Sequence, residues 1–101
     1  MKAKGTKTKG EVFAAALWCA QHDGLYNMTR AQIAKRAATA TGTVSFHYGE
    51  MLDVRRAIVR WCITNPSIPN LKVLATAIAH KDTIAVRAPA ELKRLALDTL
   101  A

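Results

Sequence analysis

Between residues 41 and 46 the chain places Thr41, Gly42, Thr43, Ser45 and Phe46. Three hydroxyls that can donate or accept a hydrogen bond stand beside methyl and methylene groups, an aromatic ring, and a glycine that lets another surface come close. The major-groove edge of a base pair offers the complement, because it mixes donors, acceptors and the thymine methyl. Set on the first turns of one helix, these residues would face such an edge together. The set carries little information by itself, since Asn, Gln and Arg, the side chains that bond a base at two points, are missing from this helix. Much of the discrimination therefore falls to Arg30, upstream, or to the shape of the nucleic acid.

Two short helices are needed to hold such a surface. Thr29 followed three residues later by Gln32 is a capping-box pattern, so a helix begins at Arg30. Ile33, Ala34 and Ala37 fall on one of its faces and Lys35 and Arg36 on the other, giving a short amphipathic helix. Residues 38 to 41 form a tight turn, in which Thr39 or Thr41 supplies a hydroxyl cap for a second helix through Val44 to Tyr48. Helices with so short a link cross steeply. Before them, Val12, Phe13, Ala16, Leu17 and Ala20 make the apolar stripe of an opening helix from about Gly10 to His22, with Gly24 as its stop and Trp18 at the edge of the stripe.

In this arrangement the stretch TRAQIAKRAATATGTVSFHYGEMLDV resembles the N-terminal helix-turn-helix of TetR-type transcriptional regulators. The agreement lies at Thr29, Ile33, Ala34, Ala37, Gly42, Thr43, Val44, Tyr48 and Val54 and extends over roughly residues 11 to 62. Departures fall in the turn, with Ala38 where the family has glycine and Thr39-Ala40 for Val-Ser, and in the second helix, where Ser45 replaces a common Tyr. The resemblance implies a homodeomain-like three-helix unit whose second motif helix enters the major groove. It also implies that Thr29, Arg30, His47 and Tyr48 touch phosphates or bases at the groove edge.

The charge agrees with a polyanionic partner. The 101 residues hold 15 Lys and Arg against 7 Asp and Glu, a net charge of +8. Residues 1 to 61 carry ten of the basic groups and four of the acidic ones, so the positive field belongs to the first half. Lys2, Lys4, Lys7 and Lys9, within residues 1 to 9, read as a mobile basic arm that follows the phosphate backbone. That arm and the apolar run from Val12 to Ala20 imitate a secretory signal. Glu11 interrupts the junction, and Trp18 before Cys19 is too large for a cleavage site, so the segment is read as structure in a cytoplasmic bacterial protein.

A fourth helix covers about Met51 to Thr64, with Ile58 and Cys62 on its apolar side. Pro66 and Pro69 make a stiff connector, Asn70 caps a helix from Leu71 to about His80, and Pro89 opens a last helix to about Leu100. The expectation is an all-α chain: residues 10 to 64 as the helix-turn-helix region and residues 65 to 101 as two or three C-terminal helices. Leu71, Leu74, Ile78, Leu92 and Leu95 are apolar faces left for dimerisation or bracing, and a chain this small gains from a second copy. About forty residues are too few for both a dimer seam and an enclosed cavity for a small inducer. This departs from the resembling family and points to a compact repressor on a palindromic operator, of the kind carried by phages and plasmids.

Other functions have less support. No nucleophile stands beside a base, no glycine loop cradles a phosphate, and no cofactor motif is present, so an enzyme is not expected. Cys19 and His22 have the spacing of half a metal site, but no second pair follows; Cys19 and Cys62 read as buried thiols. A protein-interaction module such as an antitoxin or adaptor would need apolar residues on the outer face of residues 41 to 48, where only Phe46 qualifies. A sequence-tolerant architectural DNA binder is the third reading.

Overall fold

In the computed structural model, which describes residues 7–100, six α-helices and one short 3-10 turn account for the regular structure, and no strand occurs among the described residues. The chain divides into two units, residues 1–55 and 56–101. The division falls inside the fourth helix, not at the proline connector.

In the first unit, α1 (Lys9–His22) packs against α2 (Arg30–Ala37) and α3 (Thr41–Tyr48), and α2 packs against α3. The α1 helix starts earlier than its apolar stripe suggested. Thr8 caps it with a full capping box: its hydroxyl accepts from the Glu11 N–H at 3.1 Å, and the Glu11 carboxylate accepts from the Thr8 N–H at 2.9 Å. Val12, Ala15, Ala16, Cys19 and Ala20 form the buried stripe, while Phe13 and Leu17 are half-buried. Small residues dominate that stripe and let a neighbouring helix approach closely. Gly24, at φ +104°, takes the chain out of α1 in a conformation that favours glycine, and Leu25 and Met28 in the following loop are buried with Ile33 and Ala34 of α2.

The link between α2 and α3 is a Schellman turn built without glycine. Ala38 adopts the left-handed conformation (φ 58°, ψ 49°), the Thr39 N–H donates to the Ala34 carbonyl at 2.9 Å, and the Ala38 N–H donates to Lys35 at 3.1 Å. An alanine Cβ is disfavoured there, yet the turn closes with its full set of bonds. Ala38→Gly should therefore raise stability by about 0.5 to 1 kcal/mol, the relief of the left-handed alanine less the added freedom of the unfolded chain. Urea denaturation measures this, and a lowered midpoint would contradict it. The expected hydroxyl cap of α3 is absent: its cap position is Ala40, which has no side-chain oxygen, and Thr41 is the first helical residue.

The second unit contains most of α4 (Met51–Thr64), then α5 (Ile68–Ala79), a 3-10 turn at Ala85–Arg87 and α6 (Ala90–Asp98). Asn70 is not the cap of α5. Ser67 accepts from the Asn70 N–H at 3.3 Å, while the buried Asn70 side chain donates to the Asn65 carbonyl at 2.7 Å and ties the start of α5 to the end of α4. Pro69 lies within the first helical turn, where its missing N–H is no loss. Pro89, expected as the first helical residue, instead occupies the cap position of α6, which begins at Ala90. Asp82 accepts from the N–H groups of Ile84 and Ala85, both at 2.9 Å, and so starts the 3-10 turn.

Two expected dimer residues are corrected by burial. Leu71 and Leu74 lie on the inner side of α5, with Leu74 fully buried, because the apolar repeat of that helix is satisfied by this same chain. They are not available to a second copy. Ile78 and Leu92 are half-buried, and Leu95 is exposed together with Leu97 and Leu100.

Candidate nucleic-acid interface

The α3 helix is eight residues long, and Val44 is its one buried residue. Thr41, Gly42 and Phe46 are exposed, and Thr43, Ser45, His47 and Tyr48 are half-buried. Phe46 stands out, being 84% exposed, the highest value among the large apolar side chains in the described part of the chain. An ordinary packed helix hides its aromatic residues; this one displays its ring and anchors itself through a valine. A Cβ added at Gly42 would meet nothing within 4 Å, so packing within the chain does not require a glycine there.

Lys7 and Lys9 join this helix, contrary to the reading of a free arm up to residue 9. Lys9 is the first residue of α1, and its ammonium lies 5.0 Å from the centre of the Tyr48 ring. The Nε2 of His47 lies 2.7 Å from the Lys7 carbonyl. A carbonyl only accepts, so the proton of this bond sits on Nε2. Lys2 and Lys4 lie outside the described residues. Burial pushes the Tyr48 phenol pKa up, which keeps its hydroxyl a neutral donor.

Arg30 has a different place from the one expected. It is half-buried, and its Nη2 donates to the Gly49 carbonyl at 3.0 Å, so it spans from the start of α2 to the residue that ends α3. Its Nε is buried without a hydrogen-bond partner. Through this one N–H the guanidinium braces the two helices. Thr29 remains exposed; its hydroxyl accepts from the Gln32 N–H at 3.2 Å, and the Gln32 side chain accepts from the Thr29 N–H at 2.9 Å, as the capping box predicts.

Elsewhere in this unit Arg36 stacks on Trp18, with 3.7 Å from the guanidinium carbon to the ring centre, and His22 stacks on the same indole at 4.0 Å. An open groove of about 360 Å³ runs beside them, lined by Trp18, Cys19, Asp23, Gln32, Lys35 and Arg36; none of these belongs to α3. Cys19 is buried, and the His22 Nδ1 is 2.9 Å from the Trp18 carbonyl. No group of three or more His, Cys, Asp or Glu is placed to hold a metal among the described residues. Burial raises the pKa of Cys19, with Asp23 adding to the rise, and pushes Cys62 up to about 12. Both thiols stay protonated near neutral pH, in the form that neither attacks nor ligates.

Sequence reasoning missed the Thr8 cap and the His47 contact. The first has a local signal, Thr8-Lys9-Gly10-Glu11, of the same pattern as Thr29 to Gln32. The second links residues forty positions apart and has none. No protein-family model, curated protein or solved structure matches the chain. No helix among the described residues is long and apolar enough to cross a membrane.

Proposed function

We propose that this chain is a sequence-specific double-stranded DNA-binding regulator, a repressor that acts as a homodimer on a palindromic operator without a small-molecule inducer. The observation that carries the reading is α3 itself: a helix held by Val44 and presenting hydroxyls, a glycine and an exposed aromatic ring, with Lys7 and Lys9 brought against its last turn. Those groups suit the base edges of a major groove, and the lysines suit the flanking phosphates. The TetR-type resemblance of residues 11 to 62 supports the same assignment. For the second copy, the exposed Leu95 with the half-buried Ile78 and Leu92 are the residues left from the expected seam.

One observation favours a second reading. An aromatic ring as exposed as Phe46 is also the kind of anchor that protein partners bury. Selection of bound duplexes from a random DNA pool separates the possibilities. A palindromic consensus supports a dimeric regulator, enrichment without a consensus supports an architectural binder, and no enrichment turns the assignment to a protein partner. Affinity for the selected duplex should fall steeply with salt, with a slope of about 0.9 per phosphate contacted.

Gly42 gives a second check. Gly42→Ala should stabilise the helix by about 0.5 to 1 kcal/mol, because alanine is the better helix former and the added methyl meets no atom of the chain. The same methyl would hold the α3 backbone off the DNA, so affinity should drop while the melting temperature rises. A gain in both quantities would argue that nothing approaches α3 closely at this point.

A further inference from the structure

We propose that His47 is a positioning residue that fastens the lysine-bearing N-terminal segment to the last turn of α3, making Lys7 and Lys9 fixed parts of the DNA-reading face. The inference rests on the DNA-binding reading for its purpose, and on three contacts for its geometry. The Nε2 of His47 bonds the Lys7 carbonyl at 2.7 Å. The Thr8 and Glu11 capping box then fixes the next turn of chain, so the direction in which the backbone leaves Lys7 is set. Lys9, one residue beyond Thr8, places its ammonium over the Tyr48 ring, the neighbour of His47 in sequence.

The chemistry of the bond explains why histidine serves here. Lys7 precedes the helix cap, so its carbonyl takes no part in the α1 ladder and needs a donor from elsewhere. An imidazole Nε2–H supplies one in either the neutral or the protonated ring, so the fastening does not depend on a charge. The Lys7 backbone and the Lys9 ammonium then have set positions before DNA arrives. An unfastened lysine segment would have to be ordered during binding, at the expense of affinity.

The test uses the full chain in two measurements. On DNA-free protein, trypsin cleavage after Lys7, followed by mass spectrometry, reports how often the segment opens. His47→Ala should speed that cleavage by roughly fivefold or more; His47→Gln, which keeps an N–H donor, should restore slow cleavage. On a duplex taken from the random pool, His47→Ala should weaken binding by about tenfold and lower the salt slope by about one to two. It should add nothing further in a chain that already carries Lys7→Gln and Lys9→Gln. Circular dichroism checks that each variant keeps its helices.

Cleavage that ignores His47→Ala while binding persists would overturn the fastening. An undiminished effect of His47→Ala in the chain without the two lysines would overturn the positioning role, because His47 would then be acting on DNA directly. Faster cleavage with no DNA affinity in any chain, the unaltered one included, would keep the fastening and overturn the regulator assignment on which its purpose rests.

Discussion

Phe46→Asp should cut affinity for a selected duplex by about a hundredfold or more and leave the helical fold unchanged. The ring is 84% exposed, so its removal takes nothing from the core. Two losses fall on the same side of the balance. On the proposed DNA-binding reading, an apolar contact with a thymine methyl would disappear, and a carboxylate would enter a groove walled by phosphates, where like charges cost several kcal/mol. Phe46→Leu, which removes the ring without adding charge, should give a much smaller loss. Fluorescence anisotropy with a labelled duplex measures both, and full affinity in Phe46→Asp would remove α3 from the interface altogether.

The largest loss of stability from a single change in α3 should come from Val44→Ala, at about 2 kcal/mol. Two methyl groups leave a side chain that is only 1% exposed. No other residue of α3 is buried, so nothing compensates within the helix. Against a total stability of roughly 0.1 kcal/mol per residue, that is a substantial part of what holds the domain together. Thr43→Ala, one residue earlier and half-buried, should change stability by less than about 0.5 kcal/mol. Equal shifts in urea midpoint for the two variants would contradict the picture of a helix that enters the core through Val44.

The local signals in the sequence were reliable where a side chain acts on its own neighbourhood. Thr29 and Gln32 gave the start of α2 to the residue, and the limits of α4 agree at both ends. Capping also explains the errors. A residue before proline disfavours the helical conformation, which places the expected start of α5 past Pro69; a proline in the first turn is nevertheless tolerated, and Ser67 is the cap. Periodicity showed that Leu71 and Leu74 share a face, but a 3.6-residue repeat does not say whether that face is covered by this chain or by another. Charge and place at a helix start mark Arg30 as a candidate for DNA contact but do not show its contact within the chain. That contact, with the Gly49 carbonyl, depends on how α3 ends, nineteen residues later. The left-handed alanine at position 38 had no favourable propensity to announce it; the surrounding helices impose it.

That α3 sends a single side chain, Val44, into the core has a consequence for how the protein can change. Residues 41, 42 and 46 face solvent, so codons there can drift or be randomised with little effect on whether the chain folds. Binding preference and foldability are thereby uncoupled. A library varied at those three positions, displayed on this same frame with Val44 retained, should yield mostly folded members. New targets would become reachable by single substitutions that the rest of the molecule does not register.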